Sequence, residues 1–210
     1  MKHFDTEQEK FWAGKFGDEY IKRNNDPQII AVNLNLFSKI IQNMGKIGSV
    51  IEFGANVGLN IKALMHLLPQ TSFHAVEINK NACNDLAKIN GLTIYNESIL
   101  SFTSVNSFDI VFSKGVLIHI NPNELPSVYK KMYEHSRRYI LIAEYYNPTP
   151  VDIDYRGISG KLFKRDFAGE ILDKYKDLEL VDYGFSYHRD NNFPQDDINW
   201  FLLKKTEINL

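Results

Sequence analysis

Residues 49–60 read SVIEFGANVGLN and combine a short apolar run, a glycine-rich turn and the beginning of a helical pattern. The run VIEF at 50–53 has the length of a buried strand, and the apolar spacing after the turn is typical of a helix. A strand that turns on glycines directly into a helix leaves backbone N–H groups unpaired, and such a helix end attracts anions. Gly54 and Gly58 allow a ligand to approach the backbone closely, and Asn56 adopts positive φ more readily than other non-glycine residues. An ordinary tight turn can also contain two glycines, so the strand that follows has to be considered with it.

That next apolar run, TSFHAVE at residues 71–77, predicts a second strand ending on an acidic side chain. Glu77 lies at the carboxyl edge of this strand, where nucleoside-binding domains place the acid that accepts hydrogen bonds from ribose hydroxyls. The glycine corner and Glu77 together therefore predict a site for a nucleoside cofactor.

The composition is that of an ordinary globular chain. The 210 residues are 44% hydrophobic and 24% charged, which suits one domain with a sizeable core. A net charge of −2 without long basic runs indicates no nucleic acid partner. The single cysteine, Cys83, fits a reducing compartment, and neither a signal-peptide core nor a membrane-spanning run is present. We therefore expect a cytoplasmic protein with a small-molecule substrate and no membrane partner, and the oligomeric state stays open.

Strands and helices alternate after an amino-terminal helical segment. Residues 1–44 predict a helical cap, and residues 45–210 predict a Rossmann-like core that completes a single domain. The predicted strands are residues 50–53, 71–77, 92–95, 108–112, 139–143, 178–187 and 197–204, and the predicted core helices are residues 59–68, 80–89, 123–135 and 163–175. This order indicates an α/β, doubly wound, mostly parallel seven-stranded sheet whose last two strands form an antiparallel hairpin. The proline-punctuated segment after Glu144, irregular to about Lys161, predicts a long functional loop.

Known phosphate-binding fingerprints do not fit the glycine corner. A dinucleotide fingerprint starting at Gly54 would place further glycines at 56 and 59, where the chain has Asn56 and Leu59. A P-loop requires a Gly-Lys-Ser/Thr ending, and Gly58 is followed by Leu59 and Asn60. A nucleotide-dependent oxidoreductase is therefore disfavoured.

The pattern Glu-x-Gly-x-Asn-x-Gly at residues 52–58 resembles the first motif of the class I S-adenosylmethionine (SAM)-dependent methyltransferases. Asn56 stands where those enzymes usually have a second glycine. The resemblance implies that SAM is the cofactor, that the corner faces its methionine moiety and that Glu77 binds its ribose. It places Ile78 and the end of the third strand beside the adenine, and the end of the fourth strand beside the methionine. The implied cofactor-binding residues are Glu52, Gly54, Ala55, Asn56, Gly58, Asn60, Glu77, Ile78, Glu97, Ser98, Ile99, Ser113 and Lys114.

More narrowly, the chain is similar to the methyltransferases associated with pseudaminic acid biosynthesis. The segments that carry this resemblance are FWAGKFGDEYIKRN at 11–24, EFGANVGLN at 52–60, GVLIHINP at 115–122, EYYNP at 144–148 and WFLLKK at 200–205. The resemblance implies a small, acidic, sugar-related acceptor, either a nonulosonic acid or a molecule of a nucleotide-sugar pathway.

Three residues are candidates for a catalytic base. His119 follows the fourth strand, His188 lies in the final hairpin and Glu144 ends the fifth strand. A base with a pKa near the operating pH assists transfer to a hydroxyl or an ammonium group. Each of them alone can equally be a structural polar group. No His, Cys or Asp spacing resembles a metal site.

Aromatic and arginine side chains are candidates for substrate contacts. Aromatic faces stabilise a sulfonium through cation–π attraction, and arginine forks suit carboxylates and phosphates. The candidates are Trp12, Tyr20, Tyr145, Tyr146, Arg23 and Arg156. Core packing is the alternative for the aromatic residues, and solvated surface charge is the alternative for the arginines.

The sequence thus predicts a methyltransferase that uses SAM. An oxidoreductase and a non-catalytic, cofactor-binding accessory protein remain as alternatives. Binding of SAM, S-adenosylhomocysteine (SAH) and NAD distinguishes the first two, and turnover distinguishes an enzyme from an accessory protein.

Overall fold

The computed structural model describes residues 4–23, 26 and 28–206. Its strands are β1 Ser49–Phe53, β2 Ser72–Val76, β3 Leu92–Tyr95, β4 Phe108–Lys114, β5 Ser136–Glu144, β6 Val151–Tyr155, β7 Ile158–Lys164, β8 Leu178–Ser186 and β9 Ile198–Lys205. Its α-helices are α1 Glu7–Ala13, α2 Lys15–Arg23, α3 Gln28–Ile41, α4 Leu59–Leu67, α5 Lys80–Leu86, α6 Leu125–His135 and α7 Phe167–Lys174. Two short 3-10 turns, Leu117–His119 and Pro122–Glu124, follow β4.

Seven of the strands form one sheet in the order β3-β2-β1-β4-β5-β9-β8. The first five in this order pair in parallel, and β9 pairs antiparallel with both β5 and β8. This arrangement confirms the predicted Rossmann-like α/β sheet with its carboxyl-terminal antiparallel hairpin.

The central strand β1 is buried along its whole length, because helices cover both faces of the sheet. Val50 packs in a core with side chains of α3 and α4, such as Phe37 and Ile61. Ile51 points to the opposite face and packs with side chains of α6 and α7, such as Met132. Strands buried on both faces read as continuous apolar runs, which is the pattern that β1 shows in the sequence.

The chain leaves β1 toward β2 on one side and returns to β4 on the other. Open α/β sheets bind ligands at such a switch point, outside the carboxyl ends of the strands. In this sheet, the carboxyl ends of β1, β2 and β4 therefore meet beneath the amino-terminal helices.

The segment after Glu144 differs from the prediction. The predicted irregular loop contains a β-hairpin, β6–β7, which forms a separate two-stranded sheet. Its turn residues Arg156 and Gly157 have φ values of 53° and 79°, which is typical of a type I′ turn. The usual sequence signal for this turn is Asn-Gly or Asp-Gly, and Arg-Gly does not give it.

The helix predicted at 163–175 begins four residues later, at Phe167, because β7 continues to Lys164. Asp166 caps the helix, and its Oδ1 accepts a hydrogen bond from the Gly169 N–H at 2.8 Å. The other predicted helices and strands lie where expected, with ends that differ by a few residues. None of the helices in the described part of the chain has the length and hydropathy of a membrane span.

Candidate functional site

A cavity of about 390 Å³ lies at the carboxyl ends of β1, β2 and β4. Its floor comes from the strand ends, and the helices α1, α2 and α3 together with residues 194–198 cover it. The cavity therefore occupies the position that the topology predicts for a ligand.

The glycine corner has the left-handed backbone that its sequence requires. Gly54, Asn56 and Gly58 have φ values of 81°, 47° and 77°. Gly54 donates from its N–H to the carbonyl oxygen of Val76 at 2.8 Å, which joins the corner to the end of β2. Gly54, Ala55 and Asn56 line the cavity, whereas Gly58 shapes the turn behind them.

Glu77 is fixed by the backbone on both of its carboxylate oxygens. The N–H of Asn56 donates to Oε2 at 2.7 Å, and the N–H of Asn79 donates to Oε1 at 2.7 Å. Burial raises the pKa of Glu77, and these two hydrogen bonds oppose the shift. Glu77 lines the cavity, and a carboxylate has about four lone-pair sites, so capacity remains to accept a hydrogen bond from a ligand hydroxyl.

A second buried carboxyl lies behind the corner. Asn60 donates from Nδ2 to Oε1 of Glu52 at 2.6 Å, and Oε2 of Glu52 has no hydrogen-bond partner among the described residues. Burial raises the pKa of Glu52 to about 8, and burial lowers the pKa of the neighbouring Lys114 ammonium. Asn60 and Lys114 line the cavity, and Glu52 lies beneath them.

The end of the cavity beside β3 is mostly apolar. Of the residues predicted for the adenine side, Ile78, Ser98 and Ile99 line the cavity and Glu97 does not. Ser98 Oγ accepts a hydrogen bond from the N–H of Leu100 at 3.1 Å and thereby stabilises the turn after β3.

Glu144 organises the wall of the cavity without lining it. Its Oε1 accepts hydrogen bonds from Ser113 Oγ at 2.6 Å and from the N–H groups of Val116 and Leu117 at 3.0 Å. These bonds hold the first 3-10 turn against the end of β4. Glu144 and Ser113 therefore lie under the turn that carries His119.

His119 lines the cavity in its neutral form. Its Nδ1 lies 2.6 Å from the carbonyl oxygen of Lys161. A carbonyl only accepts, so Nδ1 carries the proton and Nε2 keeps a lone pair. Burial lowers the pKa of His119 to about 4, and its ring lies between those of Trp12 and Tyr155 at centroid distances of 4.7 and 4.9 Å.

The remaining predicted residues divide between the cavity lining and positions outside it. Trp12 and Tyr20 line the cavity. The side chains outside its lining are His188, Arg23, Arg156, Tyr145 and Tyr146. His188 follows β8, is exposed and lies 2.8 Å from the Asp197 carboxylate.

Two of the arginines contact aromatic rings instead of the cavity. Arg23 lies over Phe16 and Tyr20 at 5.4 and 5.8 Å, and Arg156 lies over Tyr155 at 5.8 Å.

The sequence analysis missed several polar residues of the cavity wall. They are Gln8, Asn33, Asn79, Asn121, Gln195 and Asp196. Asn33 interrupts the apolar face of α3 and is 1% exposed, and its amide has no hydrogen-bond partner among the described residues. A polar residue within an apolar helical stripe is a signal that could have identified it. The described residues contain no group of three or more His, Cys, Asp and Glu side chains that could hold a metal ion.

No protein-family model and no curated protein sequence matches this chain. Its fold is similar to those of solved methyltransferases. Magnesium protoporphyrin IX methyltransferase from Synechocystis PCC 6803, with bound SAM, is 12% identical with a TM-score of 0.67, over 98% of this chain and 100% of that chain. The 1,6-didemethyltoxoflavin-N1-methyltransferase from Burkholderia thailandensis, with its substrate and SAH, is 12% identical with a TM-score of 0.69, over 95% and 87%.

A third similar structure is the N-methyltransferase NodS from Bradyrhizobium japonicum WM9 in complex with SAH. It is 12% identical with a TM-score of 0.66, over 90% of this chain and 98% of that chain. At 12% identity, the structural similarity shows that these proteins and this chain share a fold.

Proposed function

We propose that this chain transfers the methyl group of SAM to a small-molecule acceptor. The observation that carries the proposal is Glu77, which ends β2, lines the cavity and is held by the N–H of Asn56 from the glycine corner. This geometry presents an acceptor of ribose hydroxyls beside a backbone that permits close approach. The similarity of the fold to methyltransferases solved with SAM or SAH supports the same proposal.

The residues of the cavity fit each part of SAM. Glu77 would accept hydrogen bonds from the ribose hydroxyls, and the apolar side chains of Ile78 and Ile99 would contact the adenine. The glycine corner and the Lys114 ammonium would hold the methionine part, whose carboxylate needs a donor or a cation.

When bound, SAM supplies an activated methyl group on a sulfonium. The acceptor atom attacks the methyl carbon on the side opposite the sulfur, so the rate depends on alignment. The role of the chain is to hold the acceptor in that alignment. Trp12 and Tyr20 offer aromatic faces that attract a cation. We assign His119 Nε2, the ring nitrogen that does not contact the Lys161 carbonyl, to accept the proton that the acceptor atom loses as its bond to the methyl carbon forms.

An acidic, sugar-related acceptor remains the proposal that follows from the narrower sequence resemblance. Lys114 is the cationic side chain of the described cavity lining, and it is already assigned to the carboxylate of the methionine part. Arg23 and Arg156, the predicted clamps, lie outside this lining. The acceptor site therefore provides polar contacts mainly through side-chain amides, such as those of Asn121 and Gln195.

Binding and turnover measurements test the proposal. Calorimetric titration should show binding of SAM and SAH and none of NAD, and binding of NAD alone would support the oxidoreductase instead. Formation of SAH in the presence of nonulosonic acids, nucleotide-linked sugars and neutral controls should then identify the acceptor class. Cofactor binding without turnover on any acceptor would favour the accessory protein.

A further inference from the structure

The side chain of Asn79 connects the floor of the cavity to the amino-terminal helices. Its Nδ2 donates to the carbonyl oxygen of Trp12 at 3.1 Å and to Oδ1 of Asp18 at 2.9 Å. Its Oδ1 accepts hydrogen bonds from the N–H groups of Asn81 and Ala82 at 2.8 and 3.0 Å, which caps α5. Both ends of this 3% exposed amide are therefore in use.

The same residue contacts Glu77 through its backbone. The Asn79 N–H donates to Oε1 of Glu77 at 2.7 Å. Glu77 and Asn79 both line the cavity. One residue thus joins the carboxylate proposed to bind ribose to the two helices that cover the cavity.

Position 17 of α2 has no room for a side chain, because the Trp12 carbonyl and the Asn79 amide both lie close to it. A Cβ added at Gly17 would lie 2.8 Å from Nδ2 of Asn79 and 1.9 Å from the carbonyl oxygen of Trp12. Gly17 is buried within α2, a position at which glycine otherwise destabilises a helix. The close approach of the Trp12 carbonyl, which accepts a hydrogen bond from the Asn79 amide, gives a physical reason for this glycine.

The position of these helices determines one wall of the cavity. Trp12 and Tyr20 line the cavity, and the ring of Trp12 packs at 4.7 Å from that of His119. A displacement of α1 and α2 would therefore move the aromatic wall away from His119.

We propose that Asn79 is a positioning residue that couples occupancy of the Glu77 site to docking of α1 and α2 over the cavity. Ligand hydroxyls that donate to Glu77 hold its carboxylate in place, and this carboxylate accepts the hydrogen bond from the Asn79 N–H. The hydrogen bond from its backbone fixes the position of Asn79, whose side-chain amide donates to Trp12 and Asp18. Because linkage is reciprocal, docked helices in turn raise the affinity for the ligand. The inference rests on the proposed function, since it takes the ligand of Glu77 to be an adenosyl compound.

The test measures hydrogen exchange of residues 7–23 in the full chain, with and without SAH, together with the SAH affinity. We expect SAH to slow exchange in these residues of the wild-type protein. Asn79→Asp keeps an oxygen that caps α5 but removes the donor to Trp12 and Asp18. This variant loses both hydrogen bonds of Nδ2 and places a carboxylate beside that of Asp18, so it should bind SAH at least about tenfold more weakly, and SAH should no longer slow exchange in α1 and α2.

A pair of substitutions on the helix side separates coupling from effects on Glu77. Asp18→Ala removes the acceptor of the Asn79 amide and should reduce the SAH-dependent protection. Asp18→Asn retains an acceptor oxygen at the same place and should behave as the wild type. This pair also decides the outcome if Asn79→Asp does not fold.

The result can overturn the inference separately from the proposed function. A wild-type protein that does not bind SAH would reject both. SAH can also bind tightly and slow exchange in residues 7–23 of Asn79→Asp and Asp18→Ala as much as in the wild type. That result would reject the coupling and leave the proposed function intact. If the variants lose the same protection in residues 7–23 with and without SAH, Asn79 is a purely structural tether. That result would also reject the coupling.

Discussion

Glu77 is the side chain on which cofactor binding should depend most. Glu77→Ala should weaken SAM binding by about 1.5–3 kcal/mol, because charged hydrogen bonds to the ribose are lost. Titration calorimetry measures this change. Glu97→Ala is a matched control, since Glu97 also follows a strand end but lies outside the cavity lining. Equal affinities of wild type and Glu77→Ala would place the carboxylate outside the site.

His119 should affect turnover more than cofactor affinity. Its Nε2 is the free ring nitrogen, and loss of a general base typically lowers the rate by about 10²–10⁴-fold. The measurement is SAH formation with the acceptor found by the substrate panel, beside SAM affinity by calorimetry. His188→Ala should keep near wild-type turnover, because His188 is exposed and paired with Asp197. A wild-type rate in His119→Ala would remove His119 from the mechanism.

Glu52 should make stability depend on pH. Its pKa in the fold is about 8, against an ordinary value of 4.5, so the folded state binds the proton more tightly. The protonated Glu52 carboxyl therefore contributes to the free energy of unfolding. This contribution is complete below pH 4.5 and is lost as the pH rises through about 8. Wild type should therefore lose stability relative to Glu52→Gln by up to about 1.4 kcal/mol per pH unit within this window. Urea denaturation of both proteins across the window checks this, and parallel pH profiles would contradict it.

Among the elements, the β6–β7 hairpin has a turn that its sequence does not favour. Arg156 holds a φ of 53°, and a non-glycine residue in the left-handed region costs about 1–3 kcal/mol. Arg156→Asn should recover part of this cost, because asparagine tolerates that conformation, and Gly157→Ala should destabilise the hairpin. Thermal unfolding measures both changes.

The same substitution tests whether Arg156 contacts a substrate. Arg156 lies outside the cavity lining and over the ring of Tyr155, so Arg156→Asn should leave turnover unchanged. A lower turnover with a raised KM would restore the predicted role of Arg156 as a clamp.

In the whole molecule, a bound cofactor should stabilise the fold, because the cavity joins three strand ends to the helical cap. SAH at 100 times its dissociation constant should stabilise the folded state by about 2.7 kcal/mol. Thermal denaturation should therefore show a higher midpoint with SAH and an unchanged midpoint with NAD. A rise with NAD alone would contradict the proposed cofactor.

Local patterns predicted the sheet and the part of the site that lies on it. The run at 50–53, the glycine corner and Glu77 are close in sequence, and parallel strands bring their carboxyl ends to one edge. This is why the residues at the ends of β1 and β2 meet in the structure. The hairpin β6–β7 was missed because its Arg-Gly turn lacks a sequence signal and because β6 is mostly exposed.

The sequence by itself determined the seven-stranded sheet and the placement of Glu77 beside the corner, since periodicity predicts the strands of that sheet and topology brings their ends together. Only the tertiary structure decided which polar side chains face the cavity. His119 lines it, whereas Glu144 lies beneath its wall and His188 lies on the surface. Loops and docked helices take their position from distant contacts, such as the bond between Asn79 and Trp12, which are 67 residues apart. Such contacts depend on packing in three dimensions, and no local pattern encodes them.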